Sequence, residues 1–384
     1  MKMKKLAWSA LLFSLMLVIS ACGAKGGTGS ADQAAPEARD TAASAPGAGA
    51  KVKIQASFYP MYEFAKQVGG DLAEVELLVP AGVEPHDWEP APSDMKKIEE
   101  ADVLVYNGAG MESWIDQVLA AVTNKELVKI EASRGIDVME SSAGHSHGHD
   151  EGEHAHEHGE EAGHEHEGEA EAHSHEDHDH EHEHAEGEAH QEEGHDHDHD
   201  HDHGHDHDHG GLDPHVWLSP VLAIQEVRNI EAGLAEAAPE HKEQFKKNAD
   251  AYIAKLEQLD QEFKDDLAGG KRKDFITQHA AFGYLATEYG LTQVPIAGLS
   301  PDQEPSASRM AEIVTFAKEH NVRTIFFETL VSSKVAETIA KETGAKTAVL
   351  NPIEGLTDED RAENLDYIGI MRQNLAALKA ALQE

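Results

Sequence analysis

Residues 145–209 hold 23 histidines and 25 carboxylates, with no lysine or arginine. Neutral imidazole is the commonest protein ligand for transition metals and suits zinc, copper and nickel. The run His195-Asp196-His197-Asp198-His199-Asp200-His201 also sets carboxylates beside imidazoles. There they can ligate, or accept the second ring proton. The stretch contains no Leu, Ile, Val, Phe, Met or Trp. It cannot build a core and is expected to stay unstructured without metal. A solvated acidic linker is the plain alternative, but such linkers do not place histidine at every second position. The pattern points to metal capture.

Five histidines lie elsewhere: His86, His215, His241, His279 and His320. Three fall near the carboxyl ends of strand-like runs, where α/β proteins keep ligands. His86 sits in Glu84-Pro85-His86-Asp87-Trp88, His215 in Asp213-Pro214-His215-Val216-Trp217, and His279 directly after the run 274–278. Glu328 ends Thr324-Ile325-Phe326-Phe327 in the same way. A carboxylate abutting so apolar a strand is expected to be buried and to need a partner, and a metal ion is one. His86, His215, His279 and Glu328 are therefore expected to form a four-ligand set, two from each half of the chain. Zinc takes such nitrogen and oxygen donors at about 2.0–2.2 Å, usually tetrahedrally. The plain alternative for a lone histidine at a strand end is a hydrogen-bonded surface residue. His241 and His320 read as ordinary helix-end residues, and Trp88 and Trp217 as local packing.

Along the chain that carries these residues, short β-rich runs alternate with helical patterns. The strands are expected at 52–58, 75–79, 103–106 and 127–130, and again at 274–278, 293–296, 324–327 and 347–350. Helices are expected at 61–68, 92–101, 111–122, 282–289, 306–320, 332–343 and 358–382. Such alternation implies parallel sheets in an α/β fold. Two sets of four strands imply two (β/α)4-type lobes, each large enough for its own core, with the site in the cleft between them. Between the halves, residues 239–268 lack an internal Pro or Gly. Phe245, Ala249, Tyr252, Leu256, Leu259 and Phe263 recur there at helical steps. This predicts one long amphipathic linking helix of about 45 Å, stopped by Gly269-Gly270.

The net charge of −42 is uneven: the histidine-rich stretch accounts for −25, and the rest, with 48 acidic and 31 basic residues, for −17. Such a surface excludes nucleic acid as a partner and attracts cations. At the N-terminus, three lysines within residues 1–5 precede an apolar run of about fifteen residues, too short to span a membrane. This reads as a secretory signal, ending in Ile19-Ser20-Ala21-Cys22. Cys22 is the only cysteine, so no internal disulfide is possible.

Several segments together resemble the zinc-specific substrate-binding lipoproteins of bacterial ABC transporters, whose two lobes are joined by one rigid helix. The marks are Ser57-Phe58-Tyr59-Pro60, the His86 and His215 segments above, Gln278-His279-Ala280-Ala281-Phe282-Gly283-Tyr284, Gly298-Leu299-Ser300-Pro301 and Leu350-Asn351-Pro352-Ile353-Glu354-Gly355-Leu356. The resemblance implies His86, His215, His279 and Glu328 as ligands of Zn2+, the transported cargo. It also implies lipidation at Cys22, attachment to the outer face of the cell membrane, and delivery to a permease driven by an ATPase. The chain is expected to be a monomer and not an enzyme. Manganese-binding relatives typically carry Glu where this chain has His279, and imidazole there favours zinc. A manganese-binding member of the family and a zinc-storing surface adhesion protein are the alternatives. A zinc hydrolase is a further class, but it needs an open metal position.

The expected organisation is then a signal peptide at 1–21 and a lipid-anchored flexible tether at 22–50. An N-terminal lobe follows, from 51–143 with 211–237, interrupted by the histidine-rich loop at 144–210. A linking helix at 238–270 and a C-terminal lobe at 271–384 complete it.

Overall fold

The computed structural model describes residues 51–140 and 211–384. The expected leader, Cys22, the tether and the segment 144–210 lie outside them.

The described chain contains two four-stranded sheets. The first comprises β1 (Val52–Ala56), β2 (Ala73–Leu77), β3 (Val103–Tyr106) and β4 (Val128–Glu131), in the order β2-β1-β3-β4. The second comprises β5 (Asp274–Thr277), β6 (Thr292–Pro295), β7 (Thr324–Phe327) and β8 (Lys346–Val349), in the order β6-β5-β7-β8. All pairings are parallel. The same order occurs twice, so each sheet has a switch point beside its first strand, between β1 and β3 and between β5 and β7. Connections on either side of such a point run in opposite directions and leave a crevice at the carboxyl ends of the strands.

Alternation along each strand feeds two apolar layers. In β3, Val103 and Val105 face inward, while Leu104 joins Ile98, Trp114 and Val118 on the outer side. In β7, Phe326 faces inward, while Ile325 joins Ile276, Ile313 and Ile339 outside. The outer layers are covered by α2 (Pro92–Glu99) and α3 (Ile115–Ala121) in the first lobe, and by α7 (Ala307–Glu319) and α8 (Lys334–Thr343) in the second. Each lobe thus buries an apolar layer of its own, and the inner faces of both sheets also belong to one continuous apolar cluster, which runs through α1 (Tyr59–Gly69), α4 (Pro220–Ala237), α5 (Lys242–Leu267) and α10 (Tyr367–Leu382).

The long helix is shorter than its sequence pattern suggests. Residues Pro239–His241 form a 3-10 turn, and α5 proper has 26 residues, about 39 Å. Its buried face is Phe245, Ala249, Tyr252, Ile253, Leu256, Leu259, Phe263 and Leu267, the periodic set with Ile253 and Leu267 added. It packs on α1 and α4 of one lobe and on α10 of the other, so it is a strut shared by both. The helix expected at 358–382 is two helices, α9 (Asp358–Ala362) and α10. Asn364 takes a left-handed φ of 54°, and Asp366 caps α10 by accepting from Gly369 N at 2.7 Å. The 18-residue α4 was not marked as a helix from the sequence at all. Ser219 caps it by accepting from Leu222 N, and Pro220 occupies its first turn.

Candidate metal centre

Four side chains converge between the lobes. His86 comes from the loop after β2, and His215 precedes a 3-10 turn ahead of α4. His279 lies two residues past β5, and Glu354 lies in the loop after β8. None is more than 2% exposed. His215 Nε2 is 3.2 Å from His86 Nε2 and 3.3 Å from His279 Nε2. Glu354 Oε1 is 3.2 Å from His86 Nε2 and 3.4 Å from both His215 Nε2 and His279 Nε2. Four donors about 2.0 Å from a tetrahedral zinc ion lie about 3.3 Å from one another. The measured separations fall around that value, so the cage has the dimensions that zinc needs.

The sequence pointed to Glu328 as the carboxylate of this set; the structure brings Glu354 among the three imidazoles and sets Glu328 behind one of them. Glu328 Oε1 lies 2.6 Å from His279 Nδ1, the far side of the ring, and accepts from His279 N at 3.0 Å. The residue spans the switch point, β5 carrying the imidazole and β7 the carboxylate behind it. Asp213 plays the same part for His215, with Oδ1 2.8 Å from Nδ1 and accepting from His215 N at 3.0 Å. A carboxylate behind an imidazole fixes the ring and makes it the better ligand.

Glu354 was missed because it does not end a strand. It sits five residues beyond Val349, in a loop, among many acidic residues with no local signal of their own. The one pointer was Leu350-Asn351-Pro352-Ile353-Glu354, a carboxylate set in an apolar run that cannot leave it in water. The loop is tied down from two directions. Asn374 of α10 accepts from Asn351 N at 2.8 Å and donates to Asn351 O at 2.7 Å. Trp217, beside His215, donates Nε1–H to Pro352 O at 2.8 Å. Trp217 is thus a tie to the carboxylate loop as well as the packing residue expected. Ile353 has φ of 61°, a region that β-branched residues avoid. The two ties and Asn351 Oδ1, which accepts from Ile353 N at 2.8 Å, hold that strain next to Glu354.

The His215 loop is fastened too. Asn107 donates to Pro214 O at 3.0 Å, and Tyr284 of α6 (Gly283–Glu288) donates to Asp213 O at 2.7 Å. Gly283 is required there, because a Cβ would stand 2.7 Å from Asp213 Oδ2. Around His86, both Glu84 oxygens lie 3.0 Å from His86 N and accept its hydrogen. Glu84 therefore orients the loop and is not one of the four. Its carboxyl is pushed up to about 8, by burial first and by the Glu354 charge second. His241 precedes α5 with its ring edge-on to Phe245, His320 follows α7 stacked on Phe316, and Trp88 packs edge-on to Trp114. All three lie outside the cage.

Without metal the four groups differ in their affinity for protons. Burial pushes His86 down to about 4. Burial opposes charge on His279 too, but Glu328 and Glu354 outweigh it and push this imidazole up to about 10. Burial likewise opposes ionisation of Glu354, yet His279, His215 and His86 hold it well below the usual carboxylate range. A cation entering the cage competes with protons for these groups.

Two parallel-sheet lobes closing on a buried set of three imidazoles and one carboxylate define a two-lobed metal-ion-binding protein. The chain belongs to the family of zinc-uptake complex component A, periplasmic, whose model matches residues 54–381. It is 44% identical over 377 residues to the high-affinity zinc uptake system protein ZnuA of Bacillus subtilis, covering 98% of each chain. To the zinc-binding lipoprotein AdcA of Streptococcus pneumoniae it is 42% identical over 329 residues, 86% of this chain and 55% of that longer protein. The Zn(II)-bound crystal structure of the ZnuA-like domain of pneumococcal AdcA superposes with a TM-score of 0.63 at 39% identity, covering 87% of this chain and all of that one.

Proposed function

We propose that this protein captures Zn2+ outside the cytoplasm and delivers it to an ABC permease driven by an ATPase, with His86, His215, His279 and Glu354 as the four ligands. The observation that carries this reading is the cage itself: four buried donors at tetrahedral zinc separations, with two imidazoles backed by carboxylates. Relatives named for zinc uptake and zinc binding support the same cargo. Three imidazoles to one carboxylate suit zinc over manganese, which takes oxygen-rich sites. Four protein ligands fill the tetrahedron and leave no position for a reacting water, which argues for carriage over hydrolysis. Lipidation at Cys22 and retention on the outer membrane face accord with relatives named as lipoproteins. The lobes are taken as 51–143 with 211–237, and 271–384, on either side of the linking helix at 238–270.

Competition titration of the metal-free chain with zinc in the presence of excess manganese tests the reading. Zinc is expected to occupy the tight site even then, and His279→Glu is expected to narrow the preference. A parent protein that binds manganese more tightly than zinc overturns the assignment of cargo.

A further inference from the structure

A polar cavity lies against the cage. At the carboxyl ends of β7 and β8, where each lobe of this fold offers a crevice, there is a cavity of about 660 Å³. That is within the range of small-molecule sites. Its inner wall includes Glu328 and Thr329. Glu328 is 3% exposed, and its Oε2, like Thr329 Oγ1, is buried without a hydrogen-bond partner among the described residues. Buried polar atoms left over in this way call for a partner that the chain itself does not supply. Glu359 and Glu363 stand on the rim, and no lysine, arginine or histidine is among the lining residues. Val349, one of three exposed large hydrophobic residues among those described, lines the same cavity with Leu365.

The combination is specific. Glu328 lies against His279 and Asp358 pairs with Arg361, but Glu359 and Glu363 make no ion pair among the described residues, and two such carboxylates call for a cation. Apolar wall beside them calls for a cation carried on an aliphatic stem, since such stems lie along apolar surface while the head seeks charge. A bare metal ion makes no use of Val349 and Leu365. We propose that this cavity binds an alkylguanidinium or alkylammonium group, and that its occupancy loosens the cage next door through Glu328. The second part rests on the zinc-capture reading above. Glu328 serves both sites: Oε1 backs His279, and the residue walls the cavity. A cation seated there draws carboxylate charge away from His279 Nδ1, and the imidazole becomes a poorer zinc ligand. The coupling is reciprocal, so zinc in the cage also weakens the cation. Such a group can come from a free amine or from a lysine or arginine side chain of the protein that receives the cargo.

Calorimetric titration of the metal-free full chain with agmatine, and separately with N-acetylarginine amide, tests the cavity. Saturable binding is expected, weakened roughly two- to fivefold for each carboxylate removed in Glu359→Gln/Glu363→Gln. These rim residues lie outside the zinc cage, and the comparison cancels general attraction of cations to an acidic chain. Binding of the amide alone points to a protein-borne side chain, and binding of agmatine alone to a free amine. No saturable binding, or equal binding by the double variant, overturns the cavity assignment. Zinc competition with a chelator is then repeated with the cavity filled. Lower zinc affinity is expected, and unchanged affinity overturns the coupling. If zinc itself binds weakly throughout, the capture reading falls, while the first titration still decides the cavity.

Discussion

His279 is held at both ends of its ring: Glu328 Oε1 lies 2.6 Å from Nδ1, and Glu354 Oε1 lies 3.4 Å from Nε2. The two carboxylates have different tasks, and their removal should differ accordingly. Glu328→Gln leaves four donors but weakens one, and zinc affinity should fall about 10- to 100-fold. Glu354→Ala removes a donor and should cost more. Chelator competition on both variants measures this. A larger loss from Glu328→Gln would return the ligand role to the residue that the sequence suggested.

Trp217 and Pro352 give a second prediction. Trp217→Phe keeps an aromatic ring against Phe58, 4.9 Å away between centroids, but loses the hydrogen bond to Pro352 O. An unmet buried carbonyl costs about 1–3 kcal/mol. The variant should melt at a lower temperature and hold zinc several-fold less tightly, because Ile353 and Glu354 are no longer tied. Zinc affinity equal to the parent's would show that Asn374 alone fixes the loop.

Legibility followed chemistry that is local in sequence. All eight strands were readable because apolar β-branched and aromatic runs are bounded by turns. His86, His215 and His279 were readable because ionisable rings at strand ends are few. What failed was non-local. Glu354 reaches the three imidazoles only when β8 is paired with β7 and the following loop is drawn in by Trp217 from the other lobe. The break between α9 and α10 depends on Asn364 turning left-handed, and Asn is only a weak sign of that. Helix α4 was hidden because it directly follows the His215 segment and has an apolar face broken by Glu226.

Glu226 is fully buried, and neither carboxyl oxygen has a hydrogen-bond partner among the described residues. Burial holds its carboxyl well above the usual carboxylate range, and the nearby Glu112 charge adds to the effect. In the unfolded chain it should titrate near pH 4.3. Below that pH both states keep the proton and nothing is lost. Above it the unfolded chain gains by ionising, so this residue lowers stability as pH rises. Glu226→Gln should therefore stabilise the protein by about 1–3 kcal/mol at pH 7, with the gain vanishing near pH 4. Thermal melts at the two pH values measure it. A variant less stable than the parent at pH 7 would mean that the carboxylate charge is used.

The histidine-rich segment can be removed with little disturbance to its ends, because Glu140 and Leu212 pair in an antiparallel bridge and Asp213 N donates to Met139 O at 2.8 Å. Deleting residues 144–210 should leave one tight zinc site and abolish a set of weaker ones. Unperturbed histidine titrates near pH 6.5, and neighbouring carboxylates raise that value. Weak zinc uptake by the full chain should therefore fall steeply between about pH 7 and 6. Calorimetry on the two chains measures it, and equal zinc stoichiometry at neutral pH would leave the segment as an acidic linker.

The central claim is tested most directly by diffraction from zinc-loaded crystals on both sides of the zinc absorption edge. An anomalous peak is expected at the centre of His86 Nε2, His215 Nε2, His279 Nε2 and Glu354 Oε1, about 2.0–2.2 Å from each. A zinc ion coordinated by Glu328 in place of Glu354, or lying outside the three imidazoles, would contradict it.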